Sequence, residues 1–177
     1  MIEDLIVNSI KRGLKSSEFH YLLAKKNLYC SSFEEAKFQI DQAINAEKNI
    51  LKYYKLAVKI LQNYKAEHLA SPYLEMIIKL DPNDGNAYYL LSKLITQKEN
   101  YQKKISLLEV TNDLISDHYQ AQFDLAVSHM DTLHESNDSQ NDYIKIKNIF
   151  SPLLRIGQYR PKVIFKLGEL ELIRNNF

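Results

Sequence analysis

Tryptophan is absent from this sequence of 177 residues, and it holds one cysteine, four glycines and four prolines. Each scarcity excludes something. With Cys30 alone no internal disulfide can form, which fits a reducing compartment, although a cysteine-poor periplasmic protein would look the same. Cys30 is expected to be a small buried or half-buried residue at a helix end, with no local base to make it a nucleophile. Few Gly and Pro argue against a β-rich fold with many tight turns. There is no Gly-x-Gly-x-x-Gly, no Walker-type loop and no Gly-x-Ser-x-Gly elbow. No apolar run approaches the roughly 20 residues that span a bilayer. The start, Met1-Ile2-Glu3-Asp4-Leu5-Ile6-Val7, is acidic and amphipathic, which is wrong for a signal peptide. A formal net charge of +1 disfavours a surface devoted to nucleic acid.

Metal and acid–base chemistry find little support. His129 and His134 are five residues apart, so they do not share a helix face, and no His-Glu-x-x-His is present. Asp138-Ser139-Gln140-Asn141-Asp142 lacks the Gly and the closing Glu of a calcium loop. Glu34 and Glu35 lie at an expected helix start, where they favour the dipole rather than catalysis. The expectation is a protein that is not an enzyme and holds no cofactor or metal. Its compartment is expected to be the cytoplasm, with the periplasm open if the sequence is a piece of a longer one.

What is present is a repeat. Asn86-Ala87-Tyr88-Tyr89-Leu90-Leu91-Ser92 and Gln120-Ala121-Gln122-Phe123-Asp124-Leu125-Ala126 share polar, Ala, x, aromatic, x, Leu, small, and lie 34 residues apart. Stepping back by the same period gives Lys52-Tyr53-Tyr54-Lys55-Leu56-Ala57-Val58 and then Glu18-Phe19-His20-Tyr21-Leu22-Leu23-Ala24. Units therefore start near Ser17, Leu51, Gly85 and Tyr119. A fifth start at Pro161 comes eight residues late, which the polar stretch 134–142 explains as an enlarged loop.

Within each unit the apolar residues fall at helical spacing in two blocks. In the first, Phe19, Leu22, Leu23 and Leu28 mark one helix, and Phe33, Ala36, Ile40, Ala43 and Ile44 a second. Ser32-Phe33-Glu34-Glu35 has the spacing of a capping box between them. Asn100 before Tyr101 and Asp142 before Tyr143 are the equivalent starts further on. Asp81-Pro82-Asn83-Asp84-Gly85 is a strong stop. Two antiparallel helices approach closely where side chains are small, so Ala24, Ser92, Ala126 and Gly168 are expected to face a partner helix that supplies Ala36, Ala43 or Ala70. Ile40, Leu74, Leu108 and Phe150 then fill the space between successive pairs. Four in-register starts argue against the alternative, an irregular bundle of amphipathic helices with accidental periodicity.

This pattern resembles the tetratricopeptide repeat (TPR). Leu91-Ser92, Leu125-Ala126 and Leu167-Gly168 take its Leu-Gly pair, Phe33, Tyr101 and Tyr143 its second-helix aromatic, Ala36, Ala70 and Ala43 its alanines, and Pro82 its closing Pro. Glu67 and Lys104 depart from it, and Pro72 and Pro152 fall inside second helices, which should start late or kink. The resemblance implies an all-α, right-handed α-α superhelix, a solenoid of antiparallel pairs with about ten helices in one domain, 1–177. Its units lie near 17–50, 51–84, 85–118 and 119–160, with partial units at 1–16 and 161–177.

The resemblance also implies a protein-interaction scaffold that holds a peptide or partner helix in a concave groove lined by first helices. The family's groove positions carry over to Tyr21, Lys25, Lys52, Lys55, Lys59, Tyr89, Lys93, Phe123 and Phe165, with Val127, Met130 and Glu169 beside them. That set has a basic N-terminal half and an apolar C-terminal half, suited to a protein or peptide with acidic residues. Leu56, Asn86 and Leu90 stand where the chaperone-binding subclass would carry clamp residues, which puts that activity in doubt. Two other readings compete. One is a structural or oligomerisation segment, with a homodimer through the apolar C-terminal helix bearing Leu167, Leu170, Leu172 and Ile173. The other, disfavoured by scarce Arg, is an RNA-binding helical repeat.

Overall fold

The computed structural model describes residues 13, 15–97, 100–133 and 139–175. The expected second helix over 2–14 lies almost wholly outside the described residues. Among these the chain is all-α: α1 (Ser16–Tyr29), α2 (Phe33–Ala46), α3 (Leu51–Asn63), α4 (Ser71–Leu80), α5 (Gly85–Lys93), α6 (Tyr101–Leu114), α7 (Tyr119–Thr132), α8 (Ser139–Leu153) and α9 (Arg160–Asn175). First helices begin at Ser16, Leu51, Gly85, Tyr119 and Arg160, each within one residue of the start that the period predicts.

The period is also written in the backbone. Second helices end with the amide of Glu47 donating to the Ala43 carbonyl (3.1 Å), Asp81 to Ile77 (2.7 Å) and Ile115 to Thr111 (2.8 Å), each 34 residues on. First helices α1 and α3 end alike. Ser31 (φ 57°) and Lys65 (φ 54°) adopt the left-handed conformation. The amides of Ser32 and Ala66 then reach back 2.9 Å to the carbonyls of Asn27 and Leu61. This closure caps orphan carbonyls and is normally built on glycine.

Several local expectations are corrected. The Ser32–Glu35 capping box does not form, since no side chain caps α2. The Ser32 amide that Glu35 would cap is already bonded to Asn27. Asn100 likewise makes no side-chain cap and instead donates to Gln97. The enlarged loop is shorter than predicted, because residues 139–142 form the first turn of α8 and 134–138 lie outside the described residues. Asp142 is therefore an acid inside that first turn, favourable to the helix dipole, rather than its cap. Cys30 is exposed, being the residue that ends α1 beyond its packed face. Pro72 does delay its helix: α4 starts at Ser71, after a 3₁₀ turn at Glu67–Leu69. Pro152 sits one residue from the end of α8.

Two compact units divide the chain, Met1–Ala87 and Tyr88–Phe177, and each is described by itself. In the first, α3 packs against α1, α2 and α4 and buries Tyr53, Tyr54, Leu56, Ala57, Val58, Ile60 and Leu61. Ala24, Ala36, Ala43 and Ala57 are wholly buried and let the helices close on Ile40 and Ile60. In the second, α7 packs on α6 and α8, and α9 on α7 and α8. Ala126, Ile146, Phe150, Leu153, Val163 and Leu170 form its main core. Ile105, Leu108, Ala121 and Leu125 form a smaller cluster. Ile40, Leu74, Leu108 and Phe150 are all buried, as fillers between pairs should be. Gly168 departs from the expectation, since it is exposed.

Candidate partner-binding groove

The first helices of each unit lie side by side, and the residues nominated from the repeat fall along them. In the first unit α1 and α3 meet where the rings of Tyr21 and Tyr53 lie 5.3 Å apart. Two ammonium groups lie near the Tyr21 ring, Lys52 Nζ 5.0 Å and Lys25 Nζ 5.7 Å from its centroid. Cations over a ring face gain from its quadrupole. Lys52 is also tied to Glu18 at 2.6 Å, and this hydrogen bond raises the lysine pKa above its ordinary value. Lys55 is committed to Asp84 at 2.7 Å, with Asp81 at 3.9 Å.

The basic half predicted from sequence is therefore partly neutralised from within. Lys52 and Lys55 have carboxylates of their own. Lys25 and Lys59 are exposed and have no ion pair among the described residues.

In the second unit α5 and α7 are joined by a polar relay. The half-buried Tyr89 hydroxyl donates to Asp124 Oδ2 at 3.1 Å, and Gln120 Nε2 donates to Asp124 Oδ1 at 2.8 Å. Tyr159, just before α9, donates to Gln120 Oε1 at 3.2 Å. Burial first, and the Asp124 charge second, push the Tyr89 phenol far above its usual range. Its ring packs at a tilt of 51° against His118, centroids 4.3 Å apart, and His118 Nδ1 accepts from the Ala121 amide and so caps α7. That cap was not anticipated, although His118 immediately precedes the predicted helix start. Lys93 Nζ lies 5.8 Å from the Tyr89 centroid. Phe123 is half-buried and packs its ring 5.8 Å from Phe150 and 6.2 Å from Tyr159. Tyr89 and Phe123 thus hold helices together, whereas Phe165 is 66% exposed.

Beyond Phe123 the two first helices α7 and α9 part to leave an open cleft of about 440 Å³. Val127, Met130, Leu172 and Ile173 supply its apolar lining, and Asp131, Lys166 and Glu169 its charged lining. Lys166 and Glu169 pair with each other at 2.7 Å, while the exposed Asp131 has no ion pair among the described residues. Val127, Met130 and Glu169 were on the sequence list; Asp131, Lys166, Leu172 and Ile173 complete it. Among the described residues no three His, Cys, Asp or Glu side chains converge as metal ligands, and no helix is long and apolar enough to cross a membrane.

No family model and no curated protein matches the chain. Solved structures do. A structure of MamA superposes with a TM-score of 0.62 at 18% identity, covering 92% of this chain and 95% of that one. YrrB, described as a TPR protein with an unusual peptide-binding site, gives 0.58 at 16% identity, covering 76% and 69%. PilF of Pseudomonas aeruginosa gives 0.58 at 13% identity, covering 91% and 70%. At such identities the likeness concerns the fold, and it coincides with the period found in the residues and in the backbone hydrogen bonds. The chain has the fold of the tetratricopeptide-repeat proteins.

Proposed function

We propose that the chain is a protein-interaction scaffold that captures a segment of a partner, with the cleft between α7 and α9 as its anchor site. The observation that carries this reading is the open cleft itself: apolar side chains line it, charged ones share its lining, and two first helices form its walls. An apolar side chain of the partner leaves water there, and Asp131, which has no ion pair among the described residues, favours a basic residue beside it. In the first unit the ammonium groups of Lys25 and Lys59, which have no ion pair among the described residues, attract carboxylates, with Tyr21 as a contact ring. A TPR protein with a peptide-binding site among the structural neighbours supports this use of the fold.

Burying one Val-to-Phe-sized side chain contributes roughly 1.5–3 kcal/mol, so a filled anchor is worth about ten- to 150-fold in affinity. The test is selection of a displayed peptide library on the purified chain, followed by fluorescence anisotropy of the selected peptides. Val127→Lys should weaken binding by tenfold or more. Lys25→Glu with Lys59→Glu should weaken acidic peptides selectively and at low salt. Selected peptides that bind both variants as well as the parent would remove this groove as the site. So would a chain that selects no peptide yet retains single-stranded RNA with a steep salt dependence.

A further inference from the structure

Helix α7 carries two aspartates on one stripe, Asp124 and Asp131, and their surroundings differ. Asp124 is engaged by Tyr89 at 3.1 Å and by Gln120 at 2.8 Å. Asp131 lies in the lining of the α7–α9 cleft and is exposed. Its side chain has neither a hydrogen bond nor an ion pair among the described residues. Lys166, the cation of the same lining, is committed to Glu169 at 2.7 Å. With that pair neutral, Asp131 sets the charge of the cleft.

Asp131 also stands at the unfavourable end of its helix. α7 closes at Thr132, so this carboxylate falls in the last turn, where the macrodipole presents its negative pole. Three other first helices follow the dipole there, with Lys26 in α1, Lys93 in α5 and Arg174 in α9. His129, the titratable neighbour in the last turn of α7, is half-buried. Burial first, then the Lys145 charge, lower its pKa, so it brings no charge to that turn at neutral pH. A carboxylate held against its own helix, unanswered within the described chain and beside an apolar cleft, is placed for a cation from outside. Local rules are broken in this way where function asks for it.

We infer that Asp131 is the specificity-determining residue of the cleft, and that the occupant is a cationic amphipathic segment of a partner protein. Its Lys or Arg meets Asp131 while its apolar side chain lies beside Val127. This rests on the cleft as the anchor site. Val127 and Asp131 are four residues apart on one helix, about 6 Å along the axis. The partner's basic and apolar residues therefore stand three or four positions apart in a helical segment, or two in an extended one. The same charge rejects acidic segments, which would meet Asp131, Glu169 and the negative pole of α7 together.

The test takes peptides selected from a displayed library on the full chain and keeps those that Val127→Lys weakens tenfold or more. These should be enriched in Lys or Arg at the stated spacing. Asp131→Asn should weaken them about two- to fivefold at low salt, as an exposed charge pair does, with the difference gone near 0.5 M salt. Asp113→Asn, an exposed acid of α6 outside the cleft lining, should not. Asp131→Lys should reverse the preference, so that the peptide with its basic residue changed to Glu binds better than the original. Asp131→Asn should also raise Tm by about 1–3 °C, because a clash with the dipole is relieved. Cleft-binding peptides without the basic residue, or equal losses in Asp131→Asn and Asp113→Asn, overturn the inference and leave the anchor cleft standing. A fall in Tm for Asp131→Asn overturns it too, since the carboxylate would then serve the fold. Peptides that Val127→Lys leaves untouched remove the anchor cleft itself, and this inference with it.

Discussion

Lys52 stands one 34-residue repeat after Glu18, and its ammonium lies 2.6 Å from the Glu18 carboxylate. The pair joins α1 to α3 along the face nominated for binding, and it spends charge that the sequence offered to a partner. Both side chains are substantially exposed, so the pair contributes at most about 1 kcal/mol to stability. Its larger effect is on the local field. Glu18→Gln releases Lys52 and should raise affinity for an acidic peptide two- to fivefold at low salt, with the gain gone near 0.5 M salt as screening shortens to a few ångströms. Anisotropy titrations at two ionic strengths check this, and an unchanged affinity at low salt would show that Lys52 is not part of the binding face.

Ser31 and Lys65 occupy equivalent closing turns with φ of 57° and 54°. The left-handed region costs a residue with a Cβ about 1 kcal/mol, a penalty glycine escapes. Ser31→Gly and Lys65→Gly should therefore each stabilise the fold by about 0.5–1 kcal/mol, read as a rise of roughly 1–4 °C in Tm. A β-branched residue at either position, such as Ser31→Val, should lower it. The equality of the two turns makes the pair informative: a gain at one site and a loss at the other would show that the backbone geometry is not what limits them.

His129 gives the second unit a pH dependence. Its ring is half-buried, its Nε2 has no hydrogen-bond partner among the described residues, and Glu109 lies 4.0 Å away. Burial first, and then the Lys145 charge, lower its pKa below the ordinary value, against weaker opposing pulls from Glu109 and Asp142. A folded-state pKa below the unfolded one means that the unfolded chain takes up the proton first. Stability is then full above about pH 6.5 and declines as pH falls from there toward the folded-state pKa. Denaturant titrations between pH 7.5 and 5 should show this decline in the parent and a flatter profile in His129→Gln. Equal slopes would exclude His129 as the source.

The period was legible because it rests on size alone. Small residues at Ala24, Ser92 and Ala126 and large ones at Ile40, Leu74 and Phe150 carry their burial in their chemistry. What escaped the sequence was competition for the same groups. Ser32 and Glu35 have the spacing of a cap, yet the Ser32 amide goes to Asn27 because the preceding turn closes first. Ser139 to Asp142 read as loop because polar residues carry no periodicity, although they make a sound first turn of a helix. In the groove, consensus positions located residues without revealing which were already engaged. Lys55 is held by a turn 29 residues later, and Phe123 by Phe150 and Tyr159. The Glu18–Lys52 pair was readable in principle, since the two occupy the same position of successive repeats.

Helical repeats of this kind contact chiefly their neighbours, so damage in one unit should stay in that unit. Ile40 is wholly buried in the core of the first unit and Phe150 in that of the second. Truncating either opens a cavity and should cost about 2–5 kcal/mol. Under a single cooperative transition, Ile40→Ala and Phe150→Ala would lower amide protection equally along the chain. With two compact units, Ile40→Ala should instead accelerate exchange mainly in α1 to α4 and Phe150→Ala mainly in α7 to α9. Hydrogen–deuterium exchange with peptide-level mass spectrometry resolves the two patterns. A uniform loss in both variants would mean that the units unfold as one, and that binding at the α7–α9 cleft would then stabilise α1 to α4 by the same amount as α7 to α9.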